Sequence, residues 1–125
     1  MKYDEFMTKV GGRADVSLQA ADALTAATLQ TLAERISGGE AADLAEHLPQ
    51  ELRPHLTGAP EPAERFTPDE FVRRVAERAG TDEDHATKGI RAVFDTLREV
   101  APGKELDQVM TQLPKEFGSL VGAKR

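Results

Sequence analysis

The sequence predicts an all-α fold built by tandem duplication, and three observations carry that prediction. Apolar residues recur every three or four positions in long runs. No segment alternates apolar and polar residues as a half-buried strand would. Residues 3–56 align without a gap on residues 68–121, at an offset of 65. That alignment holds 16 identities in 54 positions, where composition alone gives roughly three or four. Among them are Asp4-Glu5-Phe6 with Asp69-Glu70-Phe71, Arg13-Ala14 with Arg78-Ala79, and Thr31-Leu32 with Thr96-Leu97. Glu34 meets Glu99, Glu40 meets Glu105, and Leu48-Pro49 meets Leu113-Pro114. Two copies are too few for an open solenoid. Residues 1–56 and 68–125 are therefore expected to pack as two roughly four-helix repeats in one bundle, about a pseudo-twofold axis.

The elements follow in chain order. Phe6, Met7 and Val10 form the stripe of a first helix. Ser17 caps a second, Ala-rich helix with apolar positions at Leu29, Leu32 and Ile36, and Ser37-Gly38-Gly39 breaks it. Ala41, Leu44, Ala45 and Leu48 make a third stripe, and Leu52 and Leu56 a short fourth. Thr57 to Phe66 holds two prolines and a glycine, so residues 57–67 read as a linker. In the second copy Thr67-Pro68 opens a helix with Phe71, Val72 and Val75, the cap-then-proline start. Asp82 caps the next, whose first turn carries Glu83 and Asp84 where carboxylates favour the positive helix end. Ile90, Val93, Phe94, Leu97 and Val100 continue it until Pro102-Gly103. Leu106, Val109, Met110 and Leu113 form the next stripe, and Phe117, Leu120 and Val121 the last. The strings EHLPQEL (46–52) and TQLPKEF (111–117) read as two equivalent helix-to-helix corners. Glu51 and Glu116 fall near the third position of the new helix, where each is expected to cap it.

Composition narrows the function classes. The chain of 125 residues has ordinary globular proportions, 39% hydrophobic and 30% charged. No cysteine is present, which removes disulfides, thiolate metal sites and cysteine nucleophiles, and fits a reducing cytoplasm. The start carries Lys2, Asp4, Glu5 and Lys9 and no apolar h-region, and no stretch is apolar enough to span a membrane. A net charge of −6 disfavours nucleic acid, although Arg73, Arg74 and Arg78 cluster on one helix. His47, His55 and His85 lack helical ligand spacing, and the second copy has Gln112 and Leu120 opposite the first two. No nucleophile elbow, phosphate-binding glycine loop or paired carboxylate motif stands out. No catalytic, metal or cofactor-binding residue is therefore assigned.

The tandem DEF, the long Ala-rich second helix with its glycine break, and the Leu-Pro-x-Glu corner resemble a bacterial family, the domain-of-unknown-function family numbered 2267. The resemblance covers essentially the whole chain. It implies an all-helical duplicated fold and no established reaction, ligand or partner, so no family site residues carry over.

The expectation is a soluble, non-enzymatic module that binds another protein or its own copy. Arg73, Arg74, Arg78, Glu51 and Glu116 form the candidate interaction surface. The second reading is a carrier of a small apolar ligand in a cavity between the repeats, where Gly89 stands opposite Leu24 in the alignment. A third is weak nucleic-acid binding through the arginine-rich helix.

Overall fold

A computed structural model describes residues 1–57 and 63–121 of the chain. The described residues form eight α-helices and no strand. Helix α1 (Tyr3–Ala14) buries Phe6, Met7, Val10, Gly11 and Ala14 on one face. It ends at Asp15, whose backbone is left-handed (φ 59°) and donates its N–H to the Gly11 carbonyl. Ser17 then caps α2 (Leu18–Arg35), its hydroxyl accepting the Ala20 N–H. Ser37 does the same for α3 (Gly38–Ala45) through the Glu40 N–H. A 3₁₀ turn, Gln50–Leu52, leads into α4 (Arg53–Leu56).

Helix α5 (Pro68–Ala79) starts under a Thr67 cap and ends at left-handed Gly80 (φ 69°). Asp82 caps α6 (Glu83–Val100) by accepting the His85 N–H. Helix α7 (Gly103–Thr111), a 3₁₀ turn at Lys115–Phe117 and α8 (Gly118–Val121) complete the chain described. The expected linker falls partly on residues 58–62, which lie outside the described residues. From Ala63 onward the segment is tied down: the Glu64 N–H donates to the Glu34 carbonyl at 2.8 Å, and Phe66 packs beside Phe71.

The packing pairs are crossed. α1 lies on α2 and α6, α5 lies on α6 and α2, and α3 meets α7, while α4 covers α2 and α8 covers α6. The apolar stripes therefore merge into one core, with Phe6, Phe71, Phe94 and Phe117 fully buried. Phe71 and Phe117 meet edge-on, ring centroids 6.0 Å apart, an arrangement that suits the ring quadrupoles. Helix α2 is enclosed on nearly every side. Leu24, Thr25, Ala27, Thr28, Leu29, Thr31, Leu32, Ala33 and Arg35 are all buried, which explains why its sequence shows no clean stripe. Thr31 meets its hydroxyl's need by donating to the Ala27 carbonyl, whereas Thr25 and Thr28 have no partner among the described residues.

Two sequence expectations change. The Leu-Pro strings are corners, with Leu48, Leu52, Leu113 and Phe117 buried, but Glu51 and Glu116 cap nothing. The residue ahead of each 3₁₀ turn is Pro49 or Pro114, and proline has no N–H for a carboxylate to reach back to. At Gly89 there is no gap. A methyl group built there would lie 2.7 Å from Leu24 Cδ2 and 2.9 Å from Cδ1. The Leu24 side chain fills the space that the missing side chain leaves, so the glycine permits close helix packing. Among the described residues no helix is long and apolar enough to cross a membrane.

Candidate functional site

The three arginines of α5 do lie together, but their charge is already matched. Arg73 pairs with Glu70 at 2.6 Å and Glu77 at 2.8 Å, one helical turn away on either side. Arg74 reaches Glu70, Glu34 and Glu64 at 2.8, 2.9 and 3.0 Å, and its guanidinium lies 4.0 Å from the centre of the Phe66 ring. Arg78 donates to the Thr31 hydroxyl at 2.9 Å and to Glu34 at 2.6 Å. Hydrogen bonds from Arg73 and then Arg74 hold the Glu70 carboxyl down at about 2. The carboxylates of Glu64 and Glu70 push Arg74 further up. Burial pushes Glu34 up, but the bonds from Arg78 and Arg74 outweigh it and leave the carboxyl below its ordinary value. A phosphate backbone would have to displace this network, so the cluster is a poor nucleic-acid surface.

A matching bracket joins α1 to α6. Arg13 donates to the Thr96 hydroxyl at 2.8 Å and to Glu99, and Lys9 pairs with Glu99 at 3.1 Å. Thr31 and Thr96 each donate onward to the carbonyl four residues back in their own helix. The identities Arg13 with Arg78, Thr31 with Thr96 and Glu34 with Glu99 thus correspond to two cationic clamps, α1 on α6 and α5 on α2. The pairing of those residues was visible in the alignment; their convergence was not.

Neither of the other two candidate surface residues is a hydrogen-bond partner of Arg73, Arg74 or Arg78. Glu51 is exposed beside a depression of about 330 Å³ that Tyr3 and Pro49 also line. There the Tyr3 hydroxyl donates to Asp22; that bond, with burial, pushes the phenol up to about 12. Glu116 is exposed near the last turn of α2, close enough to stabilise the charge of Arg35.

Arg35 is the residue that sequence inspection passed over. It is only 7% exposed, yet no carboxylate among the described residues lies within ion-pair distance. Its Nε donates to the Phe66 carbonyl at 3.0 Å and its Nη1 to the Gln112 carbonyl at 3.2 Å. The rings of Phe117 and Phe66 flank the guanidinium, centroids 5.3 and 5.9 Å away. Burial lowers its pKa, and Arg65 lowers it further. The Gln112 side chain is fixed in turn by Ser37, accepting the backbone N–H at 2.7 Å and donating to the hydroxyl at 3.3 Å. Together Arg35, Ala63, Arg65, Thr111, Gln112 and Pro114 line a cleft of about 570 Å³ at the TQLPKEF corner. A usable signal was present: Arg35 stands in the enclosed helix at the position where the second copy has Val100.

A family model described as an uncharacterized conserved protein, DUF2267, matches residues 3–120. The chain belongs to the DUF2267 family. No curated protein matches it.

Among the described residues of this DUF2267 chain, the histidines do not assemble with acidic residues into a common ligand set. His85 Nδ1 lies 2.9 Å from its own cap, Asp82, and His55 Nδ1 is 3.4 Å from Gln30. The group of potential ligands that does converge is Glu40, Asp43 and Glu105, with carboxylate oxygens within 4.8 Å of one another where α3 meets α7. One oxygen each of Glu40 and Glu105 is buried without a hydrogen-bond partner among the described residues. Burial, then Glu105 and Asp43, raises the Glu40 pKa. In the DUF2267 chain this like-charge contact is an electrostatic load on the α3–α7 junction.

Proposed function

We propose that this DUF2267 protein is a tandem-duplicated, non-enzymatic binding module of the cytoplasm that engages a partner protein at the Arg35 cleft. Duplication is supported by the element boundaries, since α1 and α5, α2 and α6, and α4 and α8 are each related by 65 residues at both ends. The crossed packing of α1 on α6 and α5 on α2, with the two clamps, is what a pseudo-twofold arrangement requires.

One observation carries the binding role: a buried, permanently charged guanidinium lines a cleft whose described lining residues include no carboxylate. Uncompensated buried charge is costly, so a surface that keeps one is a candidate for recognition. Two features support binding over catalysis. Glu70 and Arg74 have strongly shifted pKa values, but they belong to one ion-pair network outside the cleft. Among the described residues the large exposed apolar side chains are Met1 and Leu18, so recognition falls to polar groups.

Affinity capture from host lysate tests the role, with wild-type, Arg65→Gln and Arg73→Glu baits run side by side. A protein retained by wild type and Arg73→Glu but lost from Arg65→Gln is the expected result. Equal capture by all three baits, or none by any, would remove the cleft from consideration.

A further inference from the structure

We infer that the Arg35 cleft is a carboxylate-binding site, in which a carboxylate on an otherwise uncharged stem lies against the guanidinium of Arg35 with Arg65 beside it. This rests on the cleft being the recognition site, and it names the chemistry recognised. The guanidinium carries five N–H donors in a planar fork. Nε and Nη1 are committed to the carbonyls of Phe66 and Gln112, which hold the plane still. Nη2 has no hydrogen-bond partner among the described residues, and Arg35 lines the cleft. A fixed fork with a free edge matches the geometry of a carboxylate.

Charge selects among oxyanions. Arg35 and Arg65 are two positive groups at one cleft, near enough that Arg65 disfavours the charge of Arg35, and among the described residues Glu116 is the carboxylate that favours it. Among these described groups the imbalance is one charge, which suits a monoanionic carboxylate better than a dianionic phosphate. The fold itself does not ask for arginine here, since the equivalent position of the second half is a half-buried valine, Val100. Nor is the cleft shaped for a bare ion. Its volume of about 570 Å³ lies within the range of sites for small organic molecules, and Ala63 and Pro114 give it apolar wall. Thr111, whose hydroxyl donates to the Gln108 carbonyl at 2.7 Å, leaves an acceptor on the rim. A carboxylate of this kind is found on a free organic acid and at the C-terminal end of a protein chain.

The test is an NMR titration of the ¹⁵N-labelled protein, following the Arg35 Nε–H and the Ser37 amide that Gln112 holds. The probes are acetate, the peptide acetyl-Gly-Leu with a free carboxylate, its C-terminal amide, and inorganic phosphate. Saturable shifts with acetate and with the peptide acid, and none with the amide, are expected. Arg65→Gln should weaken the peptide acid about three- to fivefold. Arg35→Lys, which keeps the charge and loses the fork, should weaken it more than about tenfold. Tighter binding of the peptide acid than of acetate points to a chain terminus. Binding of acetate with exclusion of the peptide points to a free organic acid, in which case the site stands and the protein-partner role falls. Phosphate binding more tightly than either carboxylate, equal binding of acid and amide, or no saturable shift would overturn the inference. A partner captured through the cleft in spite of such a result would leave the interaction role intact.

Discussion

Replacing Gly89 with alanine should destabilise the wild-type protein and stabilise a Leu24→Ala variant. The new Cβ would lie 2.7, 2.9 and 3.0 Å from Leu24 Cδ2, Cδ1 and Cγ, where ordinary contacts begin near 3.4 Å. All three atoms belong to one side chain, 3% exposed, at the crossing of α2 and α6. Leu24 must therefore shift by several tenths of an ångström inside a close-packed core, and such overpacking costs about 1–3 kcal/mol. Helix propensity returns about 1 kcal/mol for glycine to alanine, leaving a net loss of about 1 kcal/mol. Leu24→Ala alone should cost about 2–5 kcal/mol through lost transfer energy and a cavity. With Leu24 trimmed, the clash is gone and the Gly89→Ala methyl enters vacant space, so propensity and burial then act together. Urea unfolding followed by far-UV circular dichroism on the four proteins gives the coupling directly. The expected coupling is about 2–3 kcal/mol, with the sign of Gly89→Ala reversed between the two backgrounds. If Gly89→Ala stabilises both backgrounds by the same amount, Leu24 does not fill that space and the packing argument is wrong.

The remaining predictions concern buried polar groups. Thr28→Val should stabilise the protein by about 1 kcal/mol, because it removes a buried hydroxyl that has no partner among the described residues, at nearly constant volume; a loss of stability in urea unfolding would mean that hydroxyl has a partner. Glu34→Gln should cost about 1–2 kcal/mol at neutral pH by breaking the Arg74 and Arg78 bonds. The folded pKa of Glu34 lies below its ordinary 4.5. The clamp's contribution is thus present above that value and lost as pH falls through the folded one, so the gap between wild type and variant should close in acid. Glu40 has the opposite sign, since its folded pKa is raised above 4.5. The cost of ionising it is absent below 4.5 and grows until pH passes the folded value. Glu40→Gln should therefore be more stable than wild type at neutral pH, with the advantage vanishing in acid. A variant that is less stable at pH 7 would show that Glu40 has a cationic partner.

Much of this architecture was legible in the chain. Ser17, Thr67 and Asp82 were each read as helix starts, and each accepts the N–H three residues on. Capping and apolar periodicity act over a single turn, so a linear string carries them completely. The corners at Leu48-Pro49 and Leu113-Pro114 were legible for the same reason, since proline punishes helix continuation locally. The expected carboxylate cap failed on an equally local detail, the proline that lacks an N–H. Arg73, Arg74 and Arg78 could be placed on one helix, but the pairing of Arg74 and Arg78 with Glu34, and of Arg74 with Glu64, could not. Those partners come from α2 and from the segment before α5.

The sequence alone determined the number and kind of helices, their caps, the 65-residue correspondence and most of the core, all of which depend on short-range periodicity and self-similarity. Only the tertiary structure decided that Leu24 fills the space at Gly89, that Lys9, Arg13 and Glu99 mirror Arg74, Arg78 and Glu34, and that Glu40 faces Glu105. It alone placed Arg35 between Phe66, Phe117 and Gln112 at the mouth of a cleft. The meaning of a charge depends on what surrounds it in three dimensions, and residues 31 to 86 positions apart meet only once the helices have packed.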